Sequence, residues 1–303
     1  MTAVQTAFGF MPPKPRWSHG EAGQGFRVTF CRPNPSFVQS PTLIELIEPA
    51  PLDPERALGE VVPNAQGLAD LQRDRPLKTH GAPIASSHVA DLVESVRSKG
   101  VRHWVQPGRE GFPFLRLWIG ITAEALSGYQ PDGDGGLMLE VVDTATLGLP
   151  ADALHTDLPT AADLPPGTMV RTLSRGFLVE DLDRTLDCLM KTFDWEPEQP
   201  PDRADDGSRR AVLGFTLRQS ARIEVLQPAG DREEAEFLRR FGPGIWHARI
   251  GVHGLEEKAE DLRVRGTPFR VVHTGFAQPD VVLRVDPVVI PGCLFEFAEM
   301  PPD

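Results

Sequence analysis

Four short segments of the chain each place one glutamate in the middle of an apolar, strand-like run. The four acids are Glu45 in residues 43–50, Glu140 in 138–143, Glu224 in 222–229 and Glu296 in 294–299. A carboxylate buried among apolar side chains is costly unless a cation, an arginine or water compensates its charge. The pattern therefore predicts four places where a metal ion, a guanidinium group or solvent meets an internal acid.

Residues 242–266 add an imidazole and a guanidinium group to this set. If residues 246–253 are extended, period-two alternation puts His247, Arg249, Gly251 and His253 on one face of the strand. The opposite face is apolar, as a core-facing side must be. The polar face of this strand is thus predicted to line a functional site or to contact solvent.

Several roles are open to the polar groups near these acids. Arg249 is the best candidate to hold a substrate carboxylate through two parallel hydrogen bonds, and the alternative is an ion pair with Glu224 or Glu296. Arg222, on the strand of Glu224, is the structural alternative to a metal ion. His273 is a candidate acid or base, with a position at the rim as the alternative.

The acids Glu140, Glu224 and Glu296 each follow a strand–helix unit of the same design. In the last unit the helix has Leu255, Ala259 and Leu262 on one stripe, and Gly266 is placed as its left-handed stop. Related units occupy residues 79–100 and 173–193. Aligning the last two units on their helix starts sets Ser174 opposite His247.

The first acid lacks such a unit, because residues 6–10 resemble the helix exit at 192–195. The first unit is therefore predicted to lack its opening strand and most of its helix. Extended segments between each helix and its acid complete a pattern of strand, helix and three strands. The predicted fold class is α+β, with tandem βαβββ units, two per domain, forming curved mixed sheets around a cup. The predicted boundaries are a domain at 1–145, a linker at 146–167 and a domain at 168–303.

Composition limits the partners of the protein. A formal net charge of -12 argues against nucleic acid, because phosphate binding needs clustered positive charge. Three widely spaced cysteines suggest neither a disulfide framework nor a zinc finger. No apolar run approaches the ~18 to 20 residues of a membrane span, and the N-terminal residues lack a signal pattern. We expect a cytoplasmic protein with no membrane partner.

The repeated βαβββ unit, with histidine in the first strand and glutamate in the last, resembles the vicinal oxygen chelate superfamily. That family includes glyoxalase I, methylmalonyl-CoA epimerase, extradiol dioxygenases, and bleomycin and fosfomycin resistance proteins. The resemblance covers residues ~170–299 well and ~20–143 more loosely. It implies paired units forming a cup that holds a divalent metal ion on residues from the first and last strands of each unit.

Carried over residue by residue, the resemblance implies metal ligands at Glu224, His247 and Glu296. Ser174 takes a position that is usually histidine or glutamine, and it is assigned to substrate binding together with Arg249. The implied ion is Zn, Mn, Fe, Co or Ni. Further candidates in the first domain are Glu45, Glu140 and His80, the last of which is one residue from the expected register.

The resemblance implies a glyoxalase-like, metal-dependent lyase, isomerase or epimerase acting on a small substrate with neighbouring oxygens. Glu224, Glu296 and His273 are its candidate catalytic residues. One alternative is a metal-free small-molecule binding or resistance protein of the same fold. Another is an extradiol-type dioxygenase, although a site with one histidine and two carboxylates differs from the two-histidine triad of those enzymes. Family members often complete the cup between chains, so we expect a homodimer.

Overall fold

The computed structural model describes residues 2–10, 18–19, 24–31, 33, 42–52, 75–77, 82–108, 115–122, 129–143, 164–217 and 219–301. The earliest elements are helix α1 (Thr2–Phe8) and the antiparallel strands β1 (Ser18–His19), β2 (Gln24–Cys31) and β3 (Ile44–Leu52). Next come β4 (Ala82–Ser86), helix α2 (Val89–Ser98), β5 (His103–Gln106), β6 (Arg116–Ile119) and β7 (Leu139–Asp143). These last four strands form a separate sheet in the order β4-β7-β6-β5.

The second half of the chain contains two complete βαβββ units. The first consists of β8 (Thr168–Leu178), α3 (Leu182–Phe193), β9 (Asp202–Arg203), β10 (Arg209–Leu213) and β11 (Arg222–Gln227). The second consists of β12 (Gly244–His253), α5 (Leu255–Val264), β13 (Phe269–His273), β14 (Val281–Val285) and β15 (Phe295–Glu299). Helix α4 (Glu233–Phe241) connects the two units.

The two units share one eight-stranded sheet in the order β13-β14-β15-β12-β8-β11-β10-β9. The opening strands β12 and β8 are antiparallel neighbours at its centre. Each also pairs in parallel with the last strand of its own unit, β15 or β11. The predicted α+β class with curled mixed sheets built from βαβββ units is confirmed.

Local sequence signals explain the helices of these units. The Asp181 side chain accepts a hydrogen bond from the Arg184 backbone N–H at the start of α3, as an N-cap residue does. On α5 the predicted stripe faces inward, since Ala259 and Leu262 are buried, and Gly266 is left-handed at φ +68°.

Helix α1 ends as the sequence comparison with α3 predicts. Gly9 follows α1 at φ +78°, and Asp194 follows α3 in the same left-handed region at φ +54°. The last carbonyls of α1 accept hydrogen bonds from the second half, at 2.8 Å from the Thr267 hydroxyl and 2.8 Å from Lys258 Nζ. The end of α1 is therefore anchored to the last unit.

Two apolar cores join the halves of the chain. One contains Val89 and Val93 of α2 together with Leu182 and Leu189 of α3. The other packs Phe8, the last residue of α1, against Phe295 and Phe297 of β15. The predicted linker at 146–167 lies largely outside the described residues, so the domain boundaries stay a prediction. No helix in the described part of the chain is long and apolar enough to cross a membrane.

Candidate functional site

Four adjacent strands bring the predicted polar residues onto one face of the large sheet. Arg249 on β12 lies opposite Ser174 of β8 and opposite Glu296 of β15. His247 lies opposite Gly176, which is the partner of Glu224 on β11. Because residues in these register positions share a face, the four predicted site residues Ser174, Glu224, His247 and Glu296 meet around Arg249. All five are buried.

The guanidinium group of Arg249 bridges the two carboxylates. Its Nε and Nη2 atoms donate to Glu296 Oε2 at 3.1 and 2.9 Å, and its Nη1 donates to Glu224 Oε1. Burial lowers the pKa of an arginine, but the two carboxylates outweigh burial and raise the pKa of Arg249 above its ordinary value. Arg249 is therefore a permanent cation between two anions.

Glu296 has a second arginine partner that the sequence analysis did not find. Arg284, opposite Glu296 on β14, donates from Nε to Glu296 Oε1 at 2.8 Å. It also contacts Glu233 and Glu234 of α4 at 3.1 and 2.8 Å. Burial opposes ionisation of Glu296, but His247, Arg249 and Arg284 outweigh it and hold the pKa of that carboxyl far below its ordinary value. Both oxygens of Glu296 are thus engaged by cations.

Glu224 is only partly satisfied. Its Oε1 accepts from Arg249 and, at 2.6 Å, from the Ser174 hydroxyl. Its Oε2 lies 3.9 Å from Arg210 Nη1 and has no hydrogen-bond partner among the described residues. Burial raises the pKa of this acid, but the charges of Arg249, His247 and Arg210 reverse the direction and lower it. One buried anionic oxygen therefore remains available to a ligand or water.

His247 is enclosed yet makes no hydrogen bond within the described part of the chain. Its Nε2 lies 3.8 Å from Glu224 Oε2, and its Nδ1 lies 3.6 Å from Glu296 Oε2. Neither ring nitrogen has a hydrogen-bond partner there. Burial lowers the pKa of His247 from 6.5 to about 4, against the attraction of Glu296. The imidazole is therefore neutral near pH 7.

A change in pH should reveal the buried imidazole. The unfolded chain binds a proton at His247 below pH 6.5, whereas the folded protein resists it down to about pH 4. The depressed pKa contributes about 3 kcal/mol of stability that is present above pH 6.5 and is lost as the pH falls toward 4. Chemical denaturation across this range should show a flatter pH dependence for His247→Gln than for wild type.

The matched control is His273→Gln, because His273 is exposed on the edge strand β13 and no described contact buries it. That variant should keep the wild-type slope between pH 6.5 and 4. An unchanged slope in His247→Gln would contradict the assignment of a buried neutral imidazole.

Gly176 provides the space that His247 occupies. A Cβ atom at Gly176 would lie 2.4 Å from His247 Cε1 and 2.7 Å from each ring nitrogen. These contacts are far too close for a side chain held on a strand. Position 176 therefore requires glycine for as long as the His247 ring keeps its observed position.

Gly176→Ala should displace the imidazole and destabilise the protein by about 1–3 kcal/mol, the usual cost of overpacking. The free energy of unfolding measures this effect. In a His247→Ala background the same substitution should cost much less, because the clashing ring is absent. Additive losses in the double variant would show that the clash is not the cause.

The space beside these residues is small. A cavity of about 30 Å³ adjoins Glu224, His247 and Arg249, with Trp246 and Phe276 in its wall. The indole Nε1 of Trp246 also lacks a hydrogen-bond partner in the described residues. A cavity of this size has room for about one water and not for a substrate. A ligand can therefore enter only if a wall residue moves.

The side chains in this arrangement do not fit the divalent ion that the resemblance implies. The charges of Glu224 and Glu296 are already matched by Arg249 and Arg284, so an ion would add two uncompensated buried positive charges. Glu296 has no free oxygen, which leaves only Glu224 Oε2 and one His247 nitrogen as donors. The described residues contain no group of three potential ligands in metal-binding geometry.

Other candidates lie elsewhere. His273 does not enter the cluster, because β13 is the edge strand and its imidazole points to solvent beside Asp280. Arg222 is not the partner of Glu224, since its Nε donates to Glu198 at 2.7 Å. Glu140 pairs with Arg116 at 3.2 Å on the separate sheet. The remaining first-half candidates are Glu45, which lies on β3 in the three-stranded sheet, and His80, which falls outside the described residues.

Comparison with known proteins gives matches only among solved structures. No protein-family profile and no curated protein sequence matches the chain. A hypothetical protein from Bacillus halodurans C-125 is 23% identical over 44% of this chain and 96% of that one, with a TM-score of 0.39. Methylmalonyl-CoA epimerase from Mycobacterium tuberculosis is 21% identical over 50% of this chain and 96% of that one, with a TM-score of 0.40. The Streptomyces coelicolor epimerase, in complex with 2-nitronate-propionyl-CoA, is 21% identical over 43% and 97%, with a TM-score of 0.37.

The decisive observation is the strand order of the large sheet, in which two βαβββ units meet through antiparallel opening strands. The chain has the α+β fold of paired βαβββ units that the resemblance to the vicinal oxygen chelate superfamily implies. At these identities and TM-scores the neighbours do not establish a shared activity.

Proposed function

We propose that the second half of the chain is a small-molecule binding cup in which Arg249 takes the place of a divalent ion. The observation that carries this proposal is the guanidinium bridge between Glu224 and Glu296, at the centre of the predicted ligand set. An arginine and a metal ion meet the same need, because each compensates two buried carboxylates. Arginine does so without exchange, since it stays protonated at any ordinary pH.

The expected ligand is a small carboxylate with a neighbouring hydroxyl or carbonyl oxygen. Three hydrogen bonds join Arg249 to the acids, and a guanidinium group has five N–H donors, which leaves two for a ligand. The unpartnered Trp246 Nε1–H offers another donor. Glu224 Oε2 and a nitrogen of the neutral His247 are acceptors for a hydroxyl group. This mixture favours oxygen-rich ligands over apolar ones.

A second candidate function is a metal-dependent lyase, isomerase or epimerase. It is favoured by the convergence of Glu224, His247 and Glu296, with both ring nitrogens of His247 unpartnered in the described residues. A bound ion would act as a Lewis acid and template for neighbouring substrate oxygens. This function requires Arg249 to leave the two carboxylates first. Homodimer formation and a cytoplasmic location also stay predictions.

Calorimetric titration with acetate, L-lactate and pyruvate tests the first proposal on metal-free protein. We expect lactate and pyruvate to bind to wild type. Arg249→Lys should lower both affinities at least tenfold, because lysine lacks the planar guanidinium group that holds a carboxylate through two hydrogen bonds. The control is Arg222→Lys, which alters an ion pair at the partly exposed Glu198. No heat of binding from any of the three acids, or equal weakening by both variants, would contradict the proposal.

A further inference from the structure

The side chain of Phe276 lines the cavity from a loop. Strands β13 and β14 are joined by residues 274–280, and Phe276 lies in this connection with 6% of its surface exposed. The loop is held by Arg232, whose Nη1 donates to the Thr274 carbonyl at 2.7 Å. Within the cavity wall, Phe276 is the large apolar side chain that a loop carries, whereas Leu226 and Trp246 stand on strands.

The ring of Phe276 covers a buried cation. Its centroid lies 4.5 Å from Arg210 Cζ, which is within the range of a cation–π contact. Arg210 is itself buried, its Nη1 approaches Glu224, and its Nε has no partner among the described residues. The flat face of this guanidinium group is therefore a binding position for an aromatic ring, and Phe276 of the same chain occupies it.

Phe276 is also the wall residue whose movement would open the cup with the least loss of structure. Rotation of a loop side chain breaks no strand pairing, whereas movement of Trp246 or Leu226 would disturb the sheet. The vacated volume is that of a phenyl ring. It would extend the cavity beside Glu224, His247 and Arg249 onto the face of Arg210.

We infer that the cup takes an aromatic carboxylate, whose ring replaces Phe276 on Arg210 and whose carboxylate reaches Arg249. The inference rests on the proposed function, because it assumes a carboxylate at Arg249. It adds the ring and names Phe276 as the residue that mimics the ligand and competes with it. Saturated rings of the same size lack the quadrupole by which an aromatic ring attracts a guanidinium group.

Titration of Phe276→Ala and wild type with benzoate, cyclohexanecarboxylate and L-lactate tests the inference. Removing the competing ring should raise the affinity for benzoate about tenfold, a change equivalent to one cation–π contact, with a clearly smaller gain for cyclohexanecarboxylate. Lactate affinity should rise clearly less than benzoate affinity, because lactate fills only part of the vacated volume and has no ring to place on Arg210. Phe276→Leu refills the volume without a ring and should show no gain for benzoate.

The outcomes separate the two proposals. Equal gains for benzoate and cyclohexanecarboxylate, or no gain for benzoate while lactate still binds, would overturn the aromatic subsite and leave the carboxylate cup intact. Failure of all three acids to bind to either protein would overturn the cup itself. Thermal unfolding of both variants should stay cooperative, since Phe276 lies outside the strands.

Discussion

Replacing Arg249 by methionine should turn the cup into a divalent metal site. Methionine keeps the length and apolar stem of the side chain but removes the cation between Glu224 and Glu296. The two freed carboxylate oxygens and one nitrogen of His247 then form the one-imidazole, two-carboxylate set that suits Zn, Mn, Fe, Co or Ni. Equilibrium dialysis followed by elemental analysis should find about one ion per Arg249→Met chain, with Zn²⁺ as the first ion to test.

The same variant should lose about 3–5 kcal/mol of stability in the absence of metal, because one partner of a buried charge network has been removed. Added Zn²⁺ should restore part of this loss, since an ion that binds only the folded state stabilises it. Arg249→Met/His247→Gln is the control and should neither bind the ion tightly nor be rescued by it. Rescue of the double variant to the same extent would place the metal somewhere else.

Glu296→Gln should be the most damaging conservative change at the site. Glu296 is fully buried and compensates both Arg249 and Arg284, so a neutral amide leaves two buried guanidinium groups short of charge. We expect a loss of about 3–5 kcal/mol in the free energy of unfolding at pH 7. Urea denaturation measures it. Glu299→Gln, on the same strand but exposed, is the matched control and should cost much less.

The cost of Glu296→Gln should also depend on pH. The pKa of Glu296 is depressed in the folded protein, so its charge contributes stability that is complete above the ordinary carboxylate pKa and declines as the pH falls toward the folded-state pKa. The difference between wild type and Glu296→Gln should therefore be largest at neutral pH and shrink in acid. A difference that is constant from pH 7 to pH 3 would contradict a charge-based role for Glu296.

The fold could be predicted from the sequence because its signals are local and repeated. Strands β8, β11, β12 and β15 each repeat an acid-centred or helix-leading pattern, and the helices between them have clear stripes and stops. Helix α4 was missed, since it belongs to no repeat. Its ends nevertheless carry a local signal, with Glu233 and Glu234 in the first turn and Arg239 and Arg240 in the last.

The site could be predicted only in part, because the choice of ion-pair partner is a long-range property. Alternation correctly put His247 and Arg249 on one face, and the alternative of an ion pair from Arg249 to Glu224 or Glu296 is what the structure shows. Arg284 was missed because its role depends on the pairing of β14 with β15. Arg222 and His273 lie outside the cluster, because the fold places Glu198 beside Arg222 and puts His273 on an exposed edge strand near Asp280.

The role of Gly176 could not be predicted for a related reason. Its missing Cβ matters only because β8 and β12 set it opposite His247. A glycine within a strand pattern often marks a close approach by another group, and this is the sequence signal that Gly176 offers.

The central claim is that a guanidinium group, and not a metal ion, compensates the two buried acids. Its most direct test is equilibrium dialysis of chelator-treated wild-type protein against Zn²⁺, Mn²⁺, Fe²⁺, Co²⁺ and Ni²⁺ in turn, with Arg249→Met alongside. We predict well under one ion per wild-type chain for every metal and about one per chain for the variant. One ion per wild-type chain that is lost in His247→Gln and in Glu296→Gln would contradict the claim and support the metal-dependent enzyme.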